Sequence, residues 1–155
     1  MCSAVLKACC GSGIGLIIKS PYLPSKHDFS LSAAYPVSSL FPEQATVKEN
    51  AEQLISCVAS GFYPMNITIT WKKWTQEDPW YAEVSEDVFT NSITENEDGM
   101  CNVTSFLRLK PSLEDNMTIY QCVVWHKSLP TSQRLNFTLT VIGKQPPEYF
   151  PYSSP

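Results

Sequence analysis

Leu54-Ile55-Ser56-Cys57-Val58-Ala59, running on into Ser60-Gly61-Phe62-Tyr63-Pro64, is the stretch on which the reading of this chain turns. Trp71 comes 14 residues after Cys57, Cys122 comes 65 after it, and Tyr120 stands two positions before the second cysteine. Around these anchors apolar residues recur at every second position. Ile67, Ile69 and Trp71 oppose Asn66, Thr68, Thr70 and Lys72. Tyr120, Cys122, Val124 and His126 oppose Gln121, Val123 and Trp125, and Leu135, Phe137, Leu139 and Val141 oppose Asn136, Thr138 and Thr140. A period of two sets alternate side chains on opposite faces of a sheet, so each run predicts a strand with one face in a core and one in solvent. Val103, Ser105, Leu107 and Leu109 make another such run, and its parity extends to Cys101, which predicts a half-buried free thiol there. Glu114-Asp115-Asn116 then makes the corner before Tyr120. Short alternating runs separated by turn signals are the pattern of an all-β, two-sheet antiparallel sandwich.

Outward from this centre, composition divides the chain into three. Residues 1–35 carry Gly-Ser-Gly, Pro and Ser punctuation without a sustained period and read as a leader or disordered segment; residues 36–142 form one domain; residues 143–155 begin Gly-Lys-Gln-Pro-Pro and read as a disordered tail. With 155 residues there is room for one full core and not for two such sandwiches. A net charge of −4 argues against nucleic acid as a partner, since that needs a clustered basic face. The apolar run Ala8–Ile18 is shorter than the roughly 20 residues a bilayer span requires, and it makes a poor signal peptide, so the export signal is not convincing. Yet four N-x-S/T sequons, at Asn66, Asn102, Asn116 and Asn136, favour the secretory pathway.

The Cys57…Trp71…Cys122 arrangement with Tyr120 in place is that of an immunoglobulin sandwich. Ser60-Gly61-Phe62-Tyr63-Pro64 and Tyr120-x-Cys122-x-Val124-x-His126 sharpen the likeness: the chain resembles the constant set of that fold, built with Greek-key connections. The resemblance implies a Cys57–Cys122 disulfide joining the sheets, Trp71 packed against it, and a Tyr120 hydroxyl bonded back to nearby backbone. Two free cysteines at chance spacing is the competing reading, and it requires the Trp and Tyr positions to be coincidences as well. Lys48-Glu49-Asn50, Asn66-Ile67-Thr68, Asp98-Gly99, Asn102-Val103-Thr104-Ser105 and Asn136-Phe137-Thr138-Leu139-Thr140 are similar to membrane-proximal domains of the costimulatory-ligand family, which includes ligands read by natural killer cells. In such ligands, the resemblance implies, a variable-type domain ahead of this one touches the receptor. Residues 1–35 are too few to supply it, and no membrane span is visible.

The expected function is therefore a non-enzymatic, glycosylated spacer module at the cell surface or outside the cell, with an immune receptor or an adjoining immunoglobulin domain as protein partner. The alternatives are a histocompatibility- or antibody-type domain that pairs with another, or a secreted or non-functional ligand fragment. No catalytic, cofactor or metal residues are assigned. Among the histidines, His126 is structural by resemblance and His27 has no nucleophile beside it; Cys2, Cys9 and Cys10 show no zinc spacing. The acidic Glu95-Asn96-Glu97-Asp98 lacks the alternating ligands of an EF-hand and reads as a solvated turn. Trp125 alternates outward and is the candidate interface residue, with Trp74 and Trp80 ambiguous. Asn66 and Asn136 are expected on one sheet, Asn102 on the other and Asn116 at the corner, so that glycans hinder sheet-on-sheet pairing and the chain is a monomer.

Overall fold

The structure, a computed structural model, describes residues 32–149 and 151–152; Cys2, Cys9, Cys10, His27 and the run Ala8–Ile18 lie outside the described residues. Ten strands form two sheets. The first has the order β1 (Val37–Phe41), β3 (Gln53–Phe62), β8 (Cys101–Leu109), β6 (Val88–Thr90), with β7 (Thr94–Glu95) also on β8. The second has the order β2 (Gln44–Lys48), β10 (Gln133–Ile142), β9 (Ile119–His126), β4 (Ile67–Trp74), β5 (Ala82–Val84). Successive long strands cross between sheets, β3 to β4 and β8 to β9, as a Greek key requires. Residues 143–149 and 151–152 carry neither helix nor strand.

The strands number ten among the described residues, and two local causes divide them. Pro42 has no N–H to donate, so the β1 ladder on β3 stops at Phe41; the chain then changes sheets and resumes as β2. β2 runs parallel to β10, from Thr138↔Gln44 to Ile142↔Lys48, so the second sheet is mixed rather than purely antiparallel. Elsewhere, the polar stretch between β4 and β8 lacks a sustained apolar period and breaks into the short pieces β5, β6 and β7.

The core fills as alternation demands. Ile55, Cys57 and Ala59 of β3 and Val103, Leu107 and Leu109 of β8 meet Trp71, Tyr120, Cys122, Val124, Phe137, Leu139 and Val141 of the opposite sheet. Cys101 is buried more deeply than expected, at 2% exposure, and has no disulfide partner among the described residues. Burial, and then the charge of Glu95, push its thiol above the usual range, which keeps it protonated and a poor nucleophile. One step breaks the alternation. Gly61 sits at φ +70° and the β3–β8 register shifts between Ser60 and Phe62, a bulge that glycine takes without a Cβ clash. The extra residue turns Phe62 inward, where strict alternation from Ser60 would have pointed it to solvent; it is fully buried.

Candidate functional site

Cys57 and Cys122, both fully buried, form a disulfide that ties β3 of the first sheet to β9 of the second. Closing a 65-residue separation removes unfolded-chain entropy equivalent to about 4 kcal/mol. Trp71 lies beside it with no exposure, and its indole N–H crosses between the sheets to Ser105 Oγ at 3.0 Å. Thr90 adds a hydroxyl contact to the same oxygen at 3.0 Å. Ser105 is thus the polar partner that lets a tryptophan be buried without an orphan donor. Its inward parity was visible in the sequence; its bond to Trp71 was not.

His126 closes the end of β9 onto the loop after Phe62. Its Nε2 stands 2.7 Å from the Pro64 carbonyl, which can only accept, so Nε2 carries the proton. Nδ1 then accepts from the Ser128 N–H at 3.2 Å and faces the Ser128 hydroxyl at 2.6 Å. The Phe62 ring meets the imidazole edge-on, 5.6 Å between centroids. Both ring nitrogens are engaged in holding two loops together.

Tyr120 is buried beneath Lys73, whose Nζ is 5.9 Å from the ring centroid; the expected bond from its hydroxyl to backbone is not formed among the described residues. Burial, and then Asp115, raise its phenol far above the usual range. Lys73 donates to Asp115 Oδ1 at 2.7 Å, while the Ser112 N–H and hydroxyl donate to Oδ2 at 2.9 and 3.2 Å. Burial alone would raise the Asp115 pKa; the hydrogen bonds and charge of Lys73 and Ser112 outweigh it and hold the carboxyl below its usual value. A cleft of about 310 Å³ opens here, with Lys73, Asp115, Arg108 and Asp87 on its walls.

The sequons fall at different places. Asn66 is exposed just before β4, and Asn136 is exposed on β10, where its Oδ1 accepts from Gln121 Nε2 at 2.9 Å. Gln121, expected in solvent, is buried in the row that Lys72 and Asn136 flank. Asn116 is exposed after a single 3-10 turn, Leu113–Asp115, and its Oδ1 accepts from the Val141 N–H at 2.9 Å. Asn102 is half-buried and engaged at both ends, accepting from the Gly61 N–H at 3.1 Å and donating to Asn96 Oδ1 at 3.0 Å.

The two outer faces differ in chemistry. On the second sheet Trp125, 52% exposed, lies across from Thr68, with Val123, Arg134 and Lys72 nearby in the same face. On the first sheet the registers align Phe41, Ser56, Phe106 and Phe89 in one cross-strand row, and the Phe89 and Phe106 rings stack at 4.8 Å. Phe41 is 75% exposed and Phe89 46%. This aromatic row escaped sequence reasoning, because its members come from three strands and only register brings them together.

The lateral side made by residues 76–99 is different again. It carries eight carboxylates, Glu77, Asp78, Glu83, Glu86, Asp87, Glu95, Glu97 and Asp98, and no lysine or arginine. Trp80, 79% exposed, stands among them. β5 pairs with β4 only at Trp71, Lys72 and Lys73, so Ile67–Thr70 have no strand beside them on that side among the described residues. A cleft of about 350 Å³ enters between the sheets there, lined by Ile67, Ile69, Ile93 and Val103 with Thr90 and Asn91. Among the described residues no group of His, Cys, Asp and Glu is placed to hold a metal ion, and no helix is long and apolar enough to cross a membrane.

Residues 37–129 match the family model described as Immunoglobulin C1-set domain. Over 107 residues the chain is 52% identical to natural cytotoxicity triggering receptor 3 ligand 1 of Homo sapiens, an alignment that covers 69% of this chain and 23% of that protein. It is 28% identical over 143 residues to tapasin of Gallus gallus, covering 86% of this chain and 33% of that one. The chain thus spans between 23% and 33% of the length of the curated relatives it matches. Among solved structures it is similar to the one titled Crystal Structure of Rst D1-D2, with TM-score 0.60, 18% identity and coverage of 70% of this chain and 50% of that. It is also similar to IgNAR antibody domain C1, with TM-score 0.55, 25% identity and coverage of 70% and 95%.

Proposed function

This chain belongs to the immunoglobulin C1-set family, and from that premise we propose that residues 36–142 act outside the cell or at its surface as a glycosylated, non-enzymatic spacer module of an immune-recognition ligand. The observation that carries this reading is the 52% identity to a ligand of a natural cytotoxicity triggering receptor, which falls on a stretch no longer than one such domain. The disulfide supports it, because oxidised cysteine pairs persist in secretory compartments. Three of the four sequon asparagines, Asn66, Asn116 and Asn136, are exposed with their amide nitrogens free of partners among the described residues, as glycan attachment needs. In this reading the module does not by itself engage natural cytotoxicity triggering receptor 3. The chain secreted from mammalian cells should carry several glycans, sediment as a monomer at micromolar concentration, and give no saturable surface plasmon resonance signal with that receptor. Micromolar receptor binding, or retention of a non-glycosylated chain in the cytosol, would refute the proposal.

A second reading, pairing with another immunoglobulin domain, is favoured by the Phe41–Phe106–Phe89 row on the first sheet. Exposed aromatic residues clustered on one face supply the anchors an interface needs. A stable dimer that dissociates on Phe89→Lys, with all sequons occupied, would establish pairing over the spacer.

A further inference from the structure

Trp125, 52% exposed, stands on the outer face of the second sheet, and among the described residues no aromatic ring or cation stacks on its indole. The β4–β9 register sets Thr68 directly across from it. Continued one residue beyond the start of β4, alternation turns Asn66 to the same face as Thr68, which makes this exposed asparagine the diagonal neighbour of Trp125. Such neighbours stand about 7–8 Å apart, within reach of long side chains. The chain entering β4 is also held at this end of β9, because His126 Nε2 donates to the Pro64 carbonyl at 2.7 Å. Asn66-Ile67-Thr68 is a sequon, and the other three lie elsewhere. Asn136 pairs with Gln121, four residues and about 13 Å along β9 from Trp125. Asn116 lies at the opposite end of that strand, and Asn102 is on the other sheet.

From this we propose that Trp125 is the seat of the first sugar of an N-linked glycan on Asn66, so that the carbohydrate is clamped to the second sheet instead of extending freely into solvent. The inference rests on the glycosylated reading above and names the surface that one of its glycans covers. Transfer from a lipid diphosphate donor joins sugar C1 to Asn66 Nδ2, breaks the C1–phosphate bond, releases the lipid diphosphate and removes one Nδ2 proton. A β-linked N-acetylglucosamine ring presents axial C–H bonds on its faces and hydroxyls at its rim. The electron-rich face of the indole attracts those C–H bonds, while the rim stays in water and no polar group is buried unpaired. Thr68 and Lys127, both exposed at flanking positions, offer donors to the sugar oxygens. The sequon selects this occupant over a protein, since a partner reaching Trp125 must pass a bulky hydrated chain anchored one diagonal away.

The test uses the full chain secreted from mammalian cells with high-mannose glycans, trimmed by an endoglycosidase that leaves one N-acetylglucosamine per site, and the same preparation of Asn66→Gln. Peptide mapping first establishes that Asn66 carries the sugar. Oxidation by N-bromosuccinimide, mapped residue by residue, should then be slower at Trp125 in the parent by about 3-fold or more, the protection an aromatic contact of ordinary strength supplies. Trp80, 79% exposed and remote in sequence, is the reference and should react equally in both. The single sugar on Asn66 should raise the melting temperature by about 2 °C or more in the parent and leave Trp125→Thr unchanged, a substitution that keeps a good strand former at an exposed position. Equal Trp125 oxidation with Asn66 occupied, slowing of Trp80 by the same factor, or the same thermal gain in Trp125→Thr would overturn the seat while leaving the glycosylated module standing. An unmodified Asn66 would overturn it at its premise. A dimer of the glycosylated chain that Trp125→Thr dissociates would overturn it too, because a second copy would then hold the indole.

Discussion

Two lateral sides close the sandwich, and the chain treats them in opposite ways. On one side the segment Val37–Lys48 passes from the first sheet to the second at Pro42 and pairs on both, with Leu40 and Val47 buried where the sheets meet. On the other side residues 76–99 make the reverse crossing in three pieces of two or three residues, and a cleft remains. Both segments do the same topological task. The difference is one of depth: the first offers a buried apolar residue, Leu40 or Val47, on each of two five-residue strands, whereas the second offers only the partly buried Val84 and Val88 on three-residue strands, among carboxylates and turn residues that gain nothing by leaving water. A sandwich edge is sealed by side chains, and backbone proximity alone does not seal it.

The largest way to break this comparison is to remove what both sides share. Cys57→Ala should cost about 4 kcal/mol by loss of the unfolded-state constraint alone, and Cys122→Ala the same, with the two sides opening together. Urea unfolding followed by tryptophan fluorescence checks this; a double variant no worse than either single one confirms that the bond is the common element. Retention of wild-type stability by either variant would remove the disulfide from the account.

A smaller change tests the sides separately. Leu40→Ala on the sealed side should cost about 2–3 kcal/mol, the lower part of the range for a buried leucine. Ile93→Ala on the open side should cost under about 1 kcal/mol, since that side chain is already partly in water. Equal losses in chemical denaturation would mean that the open side is packed as tightly as the closed one.

The smallest effect concerns carboxylates. Lys73 and Ser112 hold the Asp115 carboxyl below its usual range, so its contribution to stability is complete above the usual carboxylate pKa and is lost as pH falls through the folded one. Asp115→Asn should therefore flatten the acid limb of the stability profile and lower stability modestly at neutral pH, as read from melting temperature against pH.

How much of this could be read from the chain depends on how local the cause is. Alternation around Trp71 and Cys122 and through Val103–Leu109 assigned β4, β8, β9 and β10, because the period of two is a property of each strand alone. The inward set of Leu135, Phe137, Leu139 and Val141 needs no knowledge of the partner. His126 was legible as structural through its family likeness, but not its ties to Pro64 and Ser128, which lie in loops that meet only after folding. The tyrosine-corner bond was expected at Tyr120, and Lys73 occupies the space above that ring instead.

Local chain chemistry thus specifies the strands, the disulfide and tryptophan at the centre, and the positions of the sequons. Long-range pairing specifies the rest. Phe62 turns inward only because Gly61 bulges against Asn102, forty-one residues away, and the aromatic row on the first sheet exists only because register aligns four strands. The open edge at Ile67–Thr70 likewise depends on how far β5 runs along β4, a length set by where the apolar residues of two separate segments find each other. Hydrophobic period is encoded residue by residue, whereas register and edge coverage are settled by competition among contacts distant in sequence, which no single segment carries.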